Sequence, residues 1–347
     1  MVDNDKFNLL EISVEKLEQR IKNESHPDIQ LGVLYSMPVV LRNIGKNDDK
    51  VENIVSSMAK YNHPTLSLNY GYMLDKDELN PNENVVYIVR ELVRGKNFHS
   101  IFNYHIHDRL VFLYKIICLL EFLHSFDFCY IFLHPNKLII TDEVDIKLID
   151  HIKMNDEKLL QFQHKSGLIS DEERFISPEL YKITSLLKCS DDQKKKFDLY
   201  SFGCLFFYAV TGELPWGKID SVEKISEQFS KESNFLEFEN NYPESCKKLL
   251  PLISNILSQK LTTEEVRLEM EKFQEIIEYN KDAKLMFDFE GASLKVLDEI
   301  ADLMSDIDKL YDDYSVPRDL NKINQSNLKL KFTNDYTLDF SSYNKKL

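Results

Sequence analysis

The chain has 347 residues, 43% of them hydrophobic and 29% charged, and a formal net charge of −15. There is enough apolar material for a sizeable core under an ordinarily charged surface, and the acidic balance excludes a general binder of nucleic acid or of anionic membranes. No apolar run reaches the roughly 18 residues of a membrane span, and "MVDNDKFNLLEIS" shows no apolar segment behind a basic start, so no signal peptide is expected.

In chain order, residues from about 9 to 92 read mostly as short strands, at 31–35, 38–44, 66–73 and 85–91. All are rich in β-branched or aromatic residues. One helix is expected over 50–60, and the polar "DKDELNPNEN" reads as an exposed loop. From about residue 99 the pattern turns helical. Asp108 is expected to cap a helix on which Leu110, Leu113, Ile116, Ile117, Leu120 and Leu123 recur at helical spacing.

"KLII" and "DIKLID" read as two short strands. "DLYSFGCLFFYAVTG" then reads as a helix opening at Asp198 and closing at Gly212, apolar nearly all round and therefore buried. A strand-rich half before a helix-rich half predicts an α+β fold. Cys118 and Cys204 lie inside apolar helical runs, and no cysteine pair has metal-binding spacing. A reducing, cytoplasmic setting is the expectation.

Past about residue 279, Leu297, Ile300, Met304, Ile307, Tyr311 and Tyr314 mark an amphipathic, acidic helix. It is expected to pack on its own chain, with a coiled coil or a partner as alternatives. "LKLKFTNDYTLDF" reads as a β-hairpin turning at Asn334 and Asp335.

Several stretches, in order, carry a resemblance: "LEISVEKLEQRIKN", "GVLYSMPVVLR", "KYNHPTLSLNYGYM", "YIVRELVRGKNFHSIF", "YIFLHPNKLII", "FISPELY" and "DLYSFGCLFFYAVTGELPW". Over roughly 9–272 the chain resembles a protein kinase domain, and more specifically the tyrosine-kinase-like group. The resemblance implies a bilobal kinase-like domain over 1–278. Its β-rich small lobe would span about 9–92 and its helical large lobe about 96–278, with 279–347 as an extension.

Phosphoryl transfer rests on positioning and charge neutralisation, so each implied part can be compared separately. The three glycine positions of the phosphate-covering loop fall on Lys22, Glu24 and Pro27. Glu24 would repel phosphate and Pro27 lacks an N–H, so an ordinary turn is expected. The strand lysine is replaced by Arg42, a planar fork in place of a point charge. Its usual helix glutamate falls on Ile54, and Glu52 lies two residues away, roughly 200° around a helix.

Aligning "HPNKLII" with the family's "KPENIL" puts Tyr130, Ile131 and Phe132 where His-Arg-Asp would stand. Phe132 cannot accept a proton, and Ile131 cannot dock a phosphorylated loop. Lys137 stands in place of the asparagine that binds magnesium and would repel a divalent cation. Asp150 of "LIDHI" is the surviving candidate metal ligand, a poor magnesium site alone, and is otherwise a partner for Lys137 or Arg42. His151 reads as a core residue.

Arg90 falls at the gatekeeper position. It either fills the vestigial nucleotide cleft with Arg42, Lys137 and Asp150 or turns outward to solvent. Glu179, Asp198 and Gly203 match scaffold positions, with Lys260 the candidate to pair with Glu179 in place of a missing arginine. Ser166, Ser170 and Ser177 lie in the activation-like segment.

Structural positions are kept and chemical ones replaced, the pattern of a pseudokinase. The resemblance then implies no catalytic residue, no resident cofactor and at most weak ATP–magnesium binding. The implied partner is a protein such as another kinase or a signalling complex, not nucleic acid or membrane. The alternatives are a weak or atypical Ser/Thr kinase using Asp150 and a displaced base, or an ATP-binding switch without turnover.

Overall fold

The computed structural model describes residues 11–22, 28–46, 55, 58, 61–76, 84–149, 172–183, 185–215 and 244–283. They fall into two compact units. The first draws on residues up to Asn62 and on Ser67–Leu92, the second on His63–Leu66 and Val93–Leu285.

The first unit is a five-stranded antiparallel sheet of β1 (Leu17–Lys22), β2 (Ile29–Leu34), β3 (Met37–Lys46), β4 (Asn69–Lys76) and β5 (Asn84–Glu91), in the order β1-β2-β3-β5-β4. Strand alternation sorts its side chains. Val39 and Leu41 of β3, Met73 of β4 and Val85, Tyr87 and Val89 of β5 share one buried cluster with Ile12 and Leu34. Val86 and Ile88 instead meet Val55 and Met58, helical residues three apart and so on one helix face. Tyr35 and Ser36, both at positive φ, join β2 to β3 in a two-residue turn of primed type.

The two outer strands of this sheet are joined through side chains. Arg20 of β1 pairs with Asp75 of β4 and also bonds Gln30, with its guanidinium 4.6 Å from the centre of the Tyr87 ring. On the outer side of β4, Ile12 N–H donates to the Tyr72 carbonyl at 2.7 Å.

The expected strand at 66–73 begins three residues later. Leu66 instead bridges Leu148 of the second unit, and Leu148 N–H donates to Thr65 at 2.7 Å. The turn around His63 is thereby drawn out of the sheet.

The second unit holds a small sheet, β6 (Gly95–Asn97), β7 (Leu138–Thr141) and β8 (Ile146–Leu148), in that order. Its helices are α1 (Ile106–Ser125), α2 (Asp191–Thr211), α3 (Glu244–Lys247), α4 (Leu250–Leu257), α5 (Thr263–Met270) and α6 (Gln274–Ala283). The apolar residues read from the sequence are the buried face of α1. Its start differs: His105 is the N-cap and Asp108 sits inside the first turn, where a carboxylate favours the helix dipole.

Helix α2 also begins earlier than its apolar run. Ser190 and Gln193 form a capping box, so the polar "DDQKKK" makes the first turns and Asp198 is a buried interior residue. Gly212, at φ 83, ends the helix as expected. A Cβ on Gly203 would lie 2.9 Å from Leu257, so glycine is what lets α4 approach α2 this closely.

No Glu179–Lys260 ion pair is found among the described residues, and Glu179 is exposed. Arg267 of α5 fastens the outer helices instead, bonding Glu121 of α1 at 2.5 Å and Glu271 at 2.6 Å. All five cysteines are free thiols, and burial pushes Cys118 up to about 12 and raises Cys204 too, as suits core residues. No described helix is long and apolar enough to cross a membrane. The helix and hairpin expected after residue 279 lie outside the described residues, except that α6 runs to Ala283.

Candidate functional site

The site is suspended from Asp198, fully buried in the middle of α2. Its carboxylate accepts N–H bonds from Tyr130 at 2.8 Å and Ile131 at 2.5 Å, and it lies 2.9 Å from His124 Nε2. The other ring nitrogen of His124 is 3.4 Å from the Thr263 hydroxyl. Ile131 has φ 70, a left-handed conformation costing a β-branched residue on the order of 1–3 kcal/mol. The charge-assisted bonds to Asp198 offset that cost. They fix the course of the loop through main-chain groups alone.

The donor atoms of His124, Cys129 and Asp198 all lie within 4.8 Å of one another. The spacing is compatible with a metal, but the donor set is not. Both Asp198 oxygens are already engaged by main-chain N–H groups and the imidazole. The cluster is a hydrogen-bonded strut.

The next residue, Phe132, is half-buried. Its ring packs on an apolar cluster that includes Ile131, Ile176 and Leu180, and lies 4.5 Å from the imidazole of His134, tilted by 43°. His134 is 1% exposed. Two aromatic rings thus stand where the family motif has a carboxylate and a lysine. Neither ring brings a fixed charge to a transferring phosphoryl group, and the phenyl ring can take no proton.

Lys137 lies in a 3-10 turn opened by Pro135. Its N–H donates to His134 and its carbonyl accepts from Ile149, at 3.0 and 2.9 Å. With an ammonium at the magnesium-binding position and a ring at the base position, these residues do not fit an ATP–magnesium complex of the usual kind. Asp150 and His151 lie outside the described residues, as do Glu24, Pro27, Glu52 and Ile54.

In the first unit, Arg42 pairs in register with Ile88 and Arg90 with Val40. Both arginines therefore rise from one face of the sheet as diagonal neighbours, within reach of each other's long side chains. Arg90 is 4% exposed, which removes the alternative in which it turns to solvent. Arg42 is half-buried, and its Nε makes no hydrogen bond among the described residues.

Three participants were not apparent from the sequence reading. His134 was one, although it occupies the lysine of "KPENIL". The others are Asn136 and Glu172: Asn136 accepts from Asn97 at 2.9 Å and donates to Glu172 at 2.6 Å. No local pattern announces a contact between residues so far apart in the chain.

A strand-rich unit, a helix-rich unit and a loop hung from the carboxylate of a buried helix define an α+β chain of kinase-like build. The family model of the protein kinase domain matches residues 39–274, well over half of the chain, and the chain belongs to that family.

A Mycoplasma pneumoniae protein named "Putative serine/threonine-protein kinase" is 24% identical over 169 residues, 44% of this chain and 43% of that protein. A Mycoplasma genitalium protein of the same name is 25% identical over 167 residues, with the same coverage. A Dictyostelium discoideum protein named "Probable inactive serine/threonine-protein kinase" is 30% identical over 99 residues, 27% of this chain and 8% of that protein. The chain thus spans under half the length of these relatives.

Proposed function

We propose that this chain is a pseudokinase, a protein-kinase domain without catalytic activity that works by binding another protein. The observation that carries the reading is Phe132. The side chain at the general-base position is committed to an apolar cluster and to a ring contact with His134. Moving it would expose apolar surface without supplying a base. The Lys137 ammonium supports the same reading by opposing a divalent cation. The partner is a protein of a signalling assembly in the cytoplasm, such as another kinase. The domain belongs to the tyrosine-kinase-like group within its family.

One observation favours a second reading, an ATP-binding switch. Arg42 keeps a cation at the strand position that grips phosphates, and its Nε is free of hydrogen bonds among the described residues. Thermal unfolding with ATP, with and without magnesium, separates the two. Ligand at about 100 times its Kd adds roughly 2.7 kcal/mol to the folded state, a shift of several degrees. The expected result is no shift at millimolar ATP and no phosphoryl transfer. A clear shift without turnover would replace the first reading by the second, and turnover would overturn both.

A further inference from the structure

Residues 172–183 and 185–190 of the second unit are pinned from several sides. Ile176 and Leu180 are buried with Cys129 and Ile131 in one apolar cluster, which Leu186 and Cys189 extend to Phe197 of α2. The ring of Phe132 packs on the same cluster. Polar contacts fix the near end: Asn136 donates to Glu172, and the Tyr181 hydroxyl donates to the Glu173 carbonyl at 3.4 Å.

Ser177 lies between Ile176 and Pro178 with no exposed surface, and its hydroxyl has no hydrogen-bond partner among the described residues. A buried hydroxyl gains nothing from such a place. Its burial is imposed by the apolar residues around it.

We propose that Ile131 and Phe132 form an apolar latch that keeps residues 172–183 and 185–190 docked on α2 without any covalent modification, and that Ser177 is closed to modifying enzymes while the latch holds. The positions are coupled by construction. Asp198 fixes the Ile131 main chain in its left-handed conformation, and that conformation aims both side chains into the cluster instead of along an extended strand. An anionic side chain at residue 132 would lose part of its hydration against Ile131, Ile176 and Leu180 and weaken the apolar contact, so it opens the latch. A shorter apolar one leaves it closed. The latch needs neither nucleotide nor metal and stands apart from the reading above.

Hydrogen exchange on the full chain tests it. The amides of Ile176, Leu180, Ile183 and Cys189 each donate to a carbonyl within the segment. In the natural protein they are expected to exchange slowly. Phe132→Asp and Ile176→Ala are each expected to speed them at least tenfold while α1 keeps its protection, and Phe132→Leu is expected to leave them slow. Release by either of the first two variants with α1 intact supports the latch. Fast exchange in the natural protein, no change in either variant, or loss of α1 protection in step with the segment in both would overturn it.

Discussion

Two neighbouring parts of one loop behave differently. At Tyr130 and Ile131 the main chain is held by Asp198 through bonds to N–H groups that any residue but proline supplies. At Phe132 and His134 the side chains go to apolar packing and a ring contact. The geometry of the loop persists because its support never depended on side-chain identity. Phosphoryl chemistry at such a loop, by contrast, rests on side-chain identity. Whether the supporting half is the stronger one can be tested in three steps of decreasing effect.

The largest effect should follow Asp198→Ala. It strands two buried N–H groups and the His124 ring, and is expected to cost about 3–5 kcal/mol in denaturant unfolding. A loss under about 1 kcal/mol would break the comparison, because the loop would then be held by its side chains.

His63 comes next, as a second buried support. Burial lowers its pKa to about 4 despite the opposing influence of Asp145, and its Nδ1 accepts the Thr65 N–H, a bond that protonation removes. A folded-state pKa below the unfolded 6.5 means that the unfolded chain takes up the proton first. Stability should therefore be complete above about pH 6.5 and fall as pH drops toward 4, by about 3 kcal/mol. His63→Asn, which can still accept from Thr65, should flatten this dependence. An unchanged slope in the variant would assign the acid sensitivity to other groups.

The smallest effect has the opposite sign. Ser177→Ala removes a buried hydroxyl with no partner among the described residues and should stabilise the chain by up to about 1 kcal/mol. Destabilisation in thermal unfolding would mean that the hydroxyl makes a bond after all.

Much of this was legible in the sequence, but unevenly. Strands β2, β3 and β5 were readable because they are rich in β-branched or aromatic residues, and the buried face of α1 because its period is local. Both helix starts were misread for one reason. An aspartate ahead of an apolar run is a capping signal, and nothing nearby distinguishes it from Asp198, whose partners Tyr130 and Ile131 lie far back in the chain.

The replacement at Phe132 was visible, but the destination of its ring was not. Ile176 and Leu180 are more than forty residues away and carry no mark of the contact. Arg90 shows the same limit, since its position was readable and its burial was not.

The side-chain link between β1 and β4 has a consequence for recognition. With Arg20 fastened to Asp75 and Ile12 already occupying the Tyr72 carbonyl, a peptide adding itself as a sixth strand beside β4 would first have to evict the chain's own residues. A protein that engages this edge of the sheet must therefore read its side chains. Such an interface is open to abolition by single substitutions, which main-chain pairing would tolerate.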